Sequence, residues 1–423
     1  MSRLPLPLLA LTMLTASLLW SQPPTPSPAT SFDAVAATNA YLATVPADKK
    51  AHSDAYFEGG YWLILWDFLY GAAIAVLLLT TRLSSRMRSA SERLTRFQPL
   101  RTFAYWVQYL LITSVITFPL TVYEGFIREH QYGLATQTFA PWLGDQLKSL
   151  GVGLLLGGIT VTALFGIVRR LPRTWHIWGA VIGLVLTALF AVIFPVSIAP
   201  LFNQYTKLTD PTVRDPILSL ARANGIPATE VYEVDASRQT TRISANVSGF
   251  LGTERITLND NLLKRSTLPE IMSVMGHEMG HYVLNHVYKG LLFTLIVLVV
   301  FFAGLRHALK WSLARWGARW EIRGVSDTAV LPLAILIISV FSFLYTPIGN
   351  TITRTMEYEA DMYGLNTVRQ PDAFATIALK LGEYRKLSPV PIEEMLLFDH
   401  PSGRTRIFSA MRWKAEHLSA RIP

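Results

Sequence analysis

The chain contains no cysteine among its 423 residues. Disulfides, thiol nucleophiles and thiolate metal sites are therefore excluded. Charge is sparse too: Asp, Glu, Lys and Arg make up 16% of the sequence, against 51% hydrophobic residues. The acids are the scarcer sign, 29 against 38 Lys and Arg, giving a net charge of +9. No soluble stretch interleaves basic and aromatic residues as a nucleic-acid binder would, so no nucleic-acid partner is expected. What is plentiful is apolar and gathered into long runs, which makes the lipid bilayer the expected solvent.

Six runs, residues 62–80, 103–123, 150–168, 174–198, 290–305 and 328–349, each approach the ~20 residues that a bilayer requires. Trp and Tyr flank several of them, as interfacial anchors do. Gly153 and Gly157 stand at GxxxG spacing in the third run, which permits close helix packing. Asp67 falls inside the first; the simpler reading is that it borders a water-filled cavity. Ahead of these, Arg3 and the short apolar stretch 4–20 fit a signal-peptide core, followed by a Pro/Ser/Thr-rich segment. No A-x-A cleavage pattern stands out, so retention as a first membrane helix is the alternative.

The loops give an orientation. Arg82, Arg86, Arg88, Arg93, Arg96 and Arg101 follow the first run; Arg169, Arg170 and Arg173 follow the third; Arg306, Lys310, Arg315, Arg319 and Arg323 follow the fifth. The alternate loops hold only Lys49, Lys50, Arg128 and Lys148. Short basic loops stay in the cytoplasm, which puts residues 22–61, 124–149, 199–289 and 350–423 outside. In a bacterial inner membrane, outside is the periplasm.

Two outside blocks carry polar sequence. In the first, residues 211–224 read as a helix, 230–235 as a strand, and 240–250 with 255–258 as a β-hairpin. Thr267, Pro269 and Glu270 form a capping box that starts a helix over about 268–287. That helix carries His277-Glu278-Met279-Gly280-His281, an H-E-x-x-H motif. Four residues turn a helix by about 40° beyond a full turn, so both imidazoles leave one face and can grip one zinc ion. Glu278 lies about 100° round, beside the metal, where it can serve as general base.

A hydrolytic zinc site needs a third protein ligand and an open position. The extended motif with Gly and His after the second histidine is absent, because Leu284 and Val287 occupy those places. His286 would lie about 180° from His277 on a continuous helix and is expected to be a polar helix-end residue. In the second block, Arg354, Glu357 and Asp361 share one face of a helix over about 353–367. Glu357 is the expected ligand, with Glu359 as runner-up. Asp361 is expected to orient an imidazole N–H, and Arg354 to neutralise and position the carboxylates.

Those residues resemble the CAAX prenyl protease 1 family, seven-span membrane zinc metallopeptidases. Arg354, Glu357-Tyr358-Glu359-Ala360-Asp361, His400-Pro401-Ser402 with Arg406-Ile407, and Pro200-Leu201-Phe202-Asn203 match its segments. The resemblance implies that Glu357 is the third zinc ligand, and that His400 and Arg406 lie in the active site against substrate or intermediate. It also implies that Ser244, Ala245, Asn246, Val247, Ser248 and Gly249 form a substrate-binding edge strand that pairs with an extended peptide. The family usually begins that strand with Asn-Ala, where this chain has Ser244-Ala245. A barrel of seven helices around a wet chamber is implied as well, which favours keeping the N-terminal segment.

The expected architecture is thus a mostly α, polytopic membrane protein of six to seven spans with a small α/β zincin-like metallopeptidase domain. Its division is 1–21 signal peptide or first helix, 22–61 extramembrane, and 62–198 four membrane helices. The motif-bearing part of the peptidase domain follows at 199–289, then two membrane helices at 290–349, then the rest of the peptidase domain at 350–423. The expected function is a metalloendopeptidase holding one Zn2+ per chain, acting on peptide or protein substrates in the bilayer. Eukaryotic relatives place the centre in the cytosol, whereas the loop count here places it outside. Processing or quality control of membrane and envelope proteins is therefore expected, and CAAX-type processing rests on the resemblance alone. Two rivals fare worse. A structural zinc usually closes all four positions with Cys or His, and a transporter would need matched halves with broken helices.

Overall fold

The computed structural model describes residues 32–248 and 254–417. The expected N-terminal segment 1–21 and Gly249 lie outside the described residues. A short helix α1 (Ala34–Ala43) leads into α2 (Ala47–Thr80) and α3 (Leu83–Leu94). Then come α4 (Gln98–Gln131), α5 (Phe139–Arg170) and α6 (Trp175–Leu201). The first polar block folds as β1 (Tyr205–Lys207), α7 (Pro211–Ala223), β2 (Val231–Val234), β3 (Ala245–Ser248), β4 (Arg255–Asn259), α8 (Asp260–Arg265) and α9 (Leu268–Val283). α10 (His286–Trp316) and α11 (Thr328–Val368) follow, then α12 (Pro371–Leu381), α13 (Pro391–Leu397) and α14 (Gly403–His417).

Among the described residues six helices, α2, α4, α5, α6, α10 and α11, are long and apolar enough to cross a membrane. They coincide with the six apolar runs but extend well past them. α2 has 34 residues and α11 has 41, about 60 Å for the latter against a hydrocarbon core of ~30 Å. Hydropathy marks only the lipid-facing part of a helix; the hydrogen-bond ladder continues through the charged turns beyond. Lipid-facing sides are plain from exposed apolar residues at helical spacing, such as Val181, Val185, Leu189 and Val192 on α6. The Gly153/Gly157 pair receives a side chain rather than a helix backbone: Trp106 of α4 lies against Gly157 and donates its indole N–H to the Gly153 carbonyl at 3.1 Å.

At the basic end the helices converge on a core that includes Leu78, Leu79, Tyr105, Phe165, Trp175, Leu309 and Val330. The first basic loop is largely helical there. α3 lies between the spans with Arg88 buried, its guanidinium 2.6 Å from Asp327. Away from this end, Asp67 lines a polar cavity of about 660 Å3, as expected, and meets Glu124 of α4.

The polar block forms a four-stranded sheet in the order β1-β2-β4-β3, with β2 and β4 parallel and the outer pairs antiparallel. Its apolar side and α7 pack on α9 through Ile217, Val231, Ile256, Leu258, Ile271, Met275 and Met279, with Ile377 of α12 closing the cluster. β3 therefore sits at the sheet edge beside the motif helix.

Candidate metal centre

The motif helix starts where its cap predicts. The Thr267 N–H donates to Glu270 Oε2 at 2.7 Å, and Lys380 of α12 pairs with the same oxygen at 2.7 Å. α9 then runs against the extramembrane part of α11, and glycine sets how closely. A Cβ on Gly364 would lie 2.8 Å from the His277 backbone nitrogen. One on Gly280 would lie 3.1 Å from Ala360 Cα. Without side chains at these crossings, the histidines of α9 and the carboxylates of α11 come within bonding range of one another.

His277 Nε2, His281 Nε2 and one Glu357 carboxylate converge. The two ring nitrogens are 3.2 Å apart, and they lie 3.2 and 3.5 Å from the two Glu357 oxygens. Tetrahedral zinc with ~2.0–2.1 Å bonds to N and O requires ligand–ligand edges of about 3.3 Å. The donor set and its spacing thus fit a zinc ion. Among the described residues this trio is the group able to hold a metal.

Each imidazole is fixed from behind. Asp361, 1% exposed, accepts from His277 Nδ1–H at 2.7 Å. Asp361 is held in turn by Arg406, whose Nε donates to Oδ2 at 2.9 Å. Burial opposes a charge on His277, but its bonds to Asp361 and Glu357 outweigh this and lift its pKa to about 9. To hold a metal this ring would have to be neutral, with its Nε2 lone pair free. His281 is supported by a longer chain: its Nδ1 is 2.8 Å from His286 Nδ1, and His286 Nε2 is 3.0 Å from Glu359 Oε2. One tautomer satisfies the whole chain: His281 Nδ1–H donates to His286, and His286 Nε2–H donates to Glu359. Both Nε2 lone pairs of the ligand histidines are then aimed at the centre.

His286 corrects the sequence reading. A continuous helix would have turned it away, but α9 ends at Val283 and Asn285 takes a left-handed conformation, φ 58°. The chain turns there and brings His286 behind His281. Glu359, the runner-up ligand, points away from the metal position and anchors this chain together with Lys289, 2.7 Å away. His286→Ala is expected to weaken metal affinity about 10–100-fold, measured by competition with a chelator; an unchanged affinity would remove His286 from the centre.

Arg354 also departs from expectation. The sequence puts it against the carboxylates, but its guanidinium donates to the carbonyls of Glu394 and Phe398 at 2.8 and 2.5 Å. It fastens the end of α13, and so the segment that delivers His400. The neutralising cation for Asp361 is Arg406 instead. His400 arrives with Nε2 3.3 Å from Glu357 Oε2 and Nδ1 2.8 Å from Asp399 Oδ1.

Glu278 is half-buried beside the ligands, and burial pushes its carboxyl upward, against the pull of His277 and His281. It lines a cavity of about 190 Å3 together with His400, Arg406, Ser244 and Ala245. Tyr384 and Arg385, which the sequence did not single out, line it as well. Asn246 is exposed, and Val247 and Ser248 line a separate apolar cleft against α6 and α10.

Comparison with known proteins identifies the family. Residues 207–414 match peptidase family M48, and residues 37–204 match the CAAX prenyl protease N-terminal family of five membrane helices. The chain is 31% identical to the uncharacterized metalloprotease YhfN of Bacillus subtilis, over 78% of each chain. It is 26% identical to CAAX prenyl protease 1 of Saccharomyces cerevisiae, over 74% of this chain and 73% of that one. The crystal structure of S. mikatae Ste24p shares the fold, with a TM-score of 0.75 at 20% identity, covering 97% of this chain and 100% of that one. Six apolar spans, a small sheet and two contiguous family matches make one conclusion: the chain is a multi-pass membrane metallopeptidase belonging to family M48, with the membrane helices of the CAAX prenyl proteases.

Proposed function

We propose that the chain is a zinc endopeptidase that cleaves extended stretches of membrane and envelope proteins on the periplasmic side of a bacterial inner membrane. The observation that carries this reading is the trio His277, His281 and Glu357 at tetrahedral spacing, opening onto a cavity that Glu278 lines. When bound, zinc supplies a Lewis acid that acidifies water and polarises a carbonyl. Glu278 is the chain's own base: its carboxylate takes the proton of the attacking water and returns it to the leaving amine. His400 and Arg406 face the same cavity and balance the negative charge that develops on the scissile oxygen. Arg406 acts as a fixed charge, since Asp361 locks its guanidinium.

Substrate is assigned to the edge of β3. The Ser244 carbonyl accepts from Asn259 N–H at 2.9 Å, so antiparallel alternation turns Asn246 and Ser248 toward β4. The backbone groups of Ala245 and Val247 are left for an incoming strand. Val247→Pro removes an outward N–H without touching the β4 ladder. It is expected to lower kcat/KM on an unfolded protein substrate about 5–10-fold, mainly through KM, at unchanged zinc content. The parent enzyme in detergent should cleave that substrate with one zinc per chain; full zinc with no cleavage of unfolded proteins would overturn the endopeptidase reading.

Loop charge supports the sidedness. Arg82, Arg88 and Arg323 are ion-paired. Removing these three from the fourteen basic residues of one set of loops still leaves eleven against four in the other. CAAX processing, the activity in the name of the Saccharomyces relative, needs the opposite placement. The cysteine-free chain makes this simple to test. Lys207→Cys on the exposed strand β1 should react with a membrane-impermeant maleimide from the periplasm of intact cells. Labelling only after lysis would put the centre in the cytosol.

A further inference from the structure

At the basic end, far from the metal centre, three span ends surround a further cavity, of about 250 Å3. α4 and α11 begin there and α5 ends there. Four guanidiniums face it, those of Arg88, Arg101, Arg169 and Arg323, against two carboxylates, Glu92 and Asp327. Two pairs are matched: Arg323 with Glu92 at 2.6 Å, and Arg88 with Asp327 at 2.6 Å. Arg101 and Arg169 form no ion pair among the described residues. Each gives one N–H to a neutral oxygen, Arg101 to the Thr95 carbonyl at 2.7 Å and Arg169 to the Thr102 hydroxyl at 2.8 Å. The cavity thus keeps a surplus of two positive charges.

A second observation is independent of that surplus. Arg88 is 7% exposed, and its Nε has no hydrogen-bond partner. Buried donors in native proteins nearly always find an acceptor, so this arginine of the cavity lining is not fully satisfied by the protein's own groups. The first turn of α4, at Gln98, also borders the cavity and adds the positive end of a helix dipole.

We propose that this cavity binds the phosphate of an anionic phospholipid in the leaflet that faces the basic loops. The depth fits, since span ends lie at the headgroup level. The chemistry fits, since arginine forks match phosphate oxygens in pairs. The charge favours a lipid of net negative charge over a zwitterionic one, as basic pockets between membrane helices do. Arg101 and Arg169 grip the phosphate, and Arg88, held by Asp327, adds its charge to the cavity lining.

The test uses the full chain, purified in detergent and stripped of lipid, with thermal unfolding as readout. Phosphatidylglycerol is expected to raise Tm by roughly 2–5 °C, whereas phosphatidylcholine and millimolar inorganic phosphate are not. Arg101→Gln with Arg169→Gln is expected to abolish the rise. Equal rises in parent and double variant would overturn the site. A rise with inorganic phosphate and none with phosphatidylglycerol would overturn the lipid assignment. Should the glutamine pair fail to fold, Arg101→Lys with Arg169→Lys keeps the charge and loses the fork; its rise is expected to be smaller than the parent's, and an undiminished rise overturns the proposal. Native mass spectrometry of the parent should detect retained phosphatidylglycerol, and retention of none counts against the site.

Discussion

Glu278→Gln is expected to bind one zinc per chain as the parent does and to lose proteolysis by about 10²–10⁴-fold. The two halves of this result come from separate parts of the centre. The metal is assigned to His277, His281 and Glu357, whose positions are set by Asp361, His286 and the α9–α11 contact. None of these involves the Glu278 side chain. Glutamine has nearly the same shape, so the cavity wall is kept. It cannot accept the water proton, and burial, which lifts the carboxyl toward the range where a base works best, no longer has a proton site to tune. Zinc content and turnover measured on one preparation check both halves. Turnover within a few-fold of the parent would dismiss Glu278 as the base. Loss of zinc would mean that Glu278 helps to hold the metal.

Gly364→Ala is expected to weaken zinc binding more than tenfold and to destabilise the protein by about 1–3 kcal/mol. The added carbon would lie 2.8 Å from His277 N and 3.1 Å from Gly276 C, both backbone atoms that cannot rotate away. α9 and α11 must separate, and Glu357 and Asp361 share the face of α11 that carries Gly364. Moving that face shifts a ligand away from both imidazoles and loosens the brace on His277. Gly276→Ala is the milder control, because its tightest contact, 2.5 Å, is with the side chain of Val368. Metal titration and thermal unfolding would be read together. Parent-like values for Gly364→Ala would mean that close helix approach does not hold the centre in shape.

The motif was legible because helix geometry turns sequence spacing into direction: His277 and His281 must share a face. Glu357 and Asp361 followed by the same rule. What escaped depended on something outside the helix in question. Gly276 and Gly280 have the spacing noted for Gly153 and Gly157, but only the position of α11 gives the first pair its purpose. His286 was lost by assuming that the helix continued; Asn285, a residue that tolerates a left-handed turn, was the available warning. Arg354 was placed on the correct face with the wrong partner, since its reach to α13 is a tertiary fact. The spans were found by hydropathy and truncated by it, because charged turns such as those of 47–61 and 350–368 are helical without being apolar.

The edge position of β3 has a consequence for what such an enzyme can discriminate. A ladder of main-chain hydrogen bonds is the same for nearly every sequence, so docking there asks little about side chains. It asks whether a segment can be offered as a lone strand, free of its own partners. For a folded substrate that availability is a local opening equilibrium, and each 1.4 kcal/mol of opening free energy removes about tenfold from the cleavable population. A segment that needs about 4 kcal/mol to open is cut roughly a thousand times more slowly than the same segment already loose. Selectivity would then be read from the substrate's stability rather than its sequence, and a single destabilising mutation far from the scissile bond would convert a bystander into a substrate.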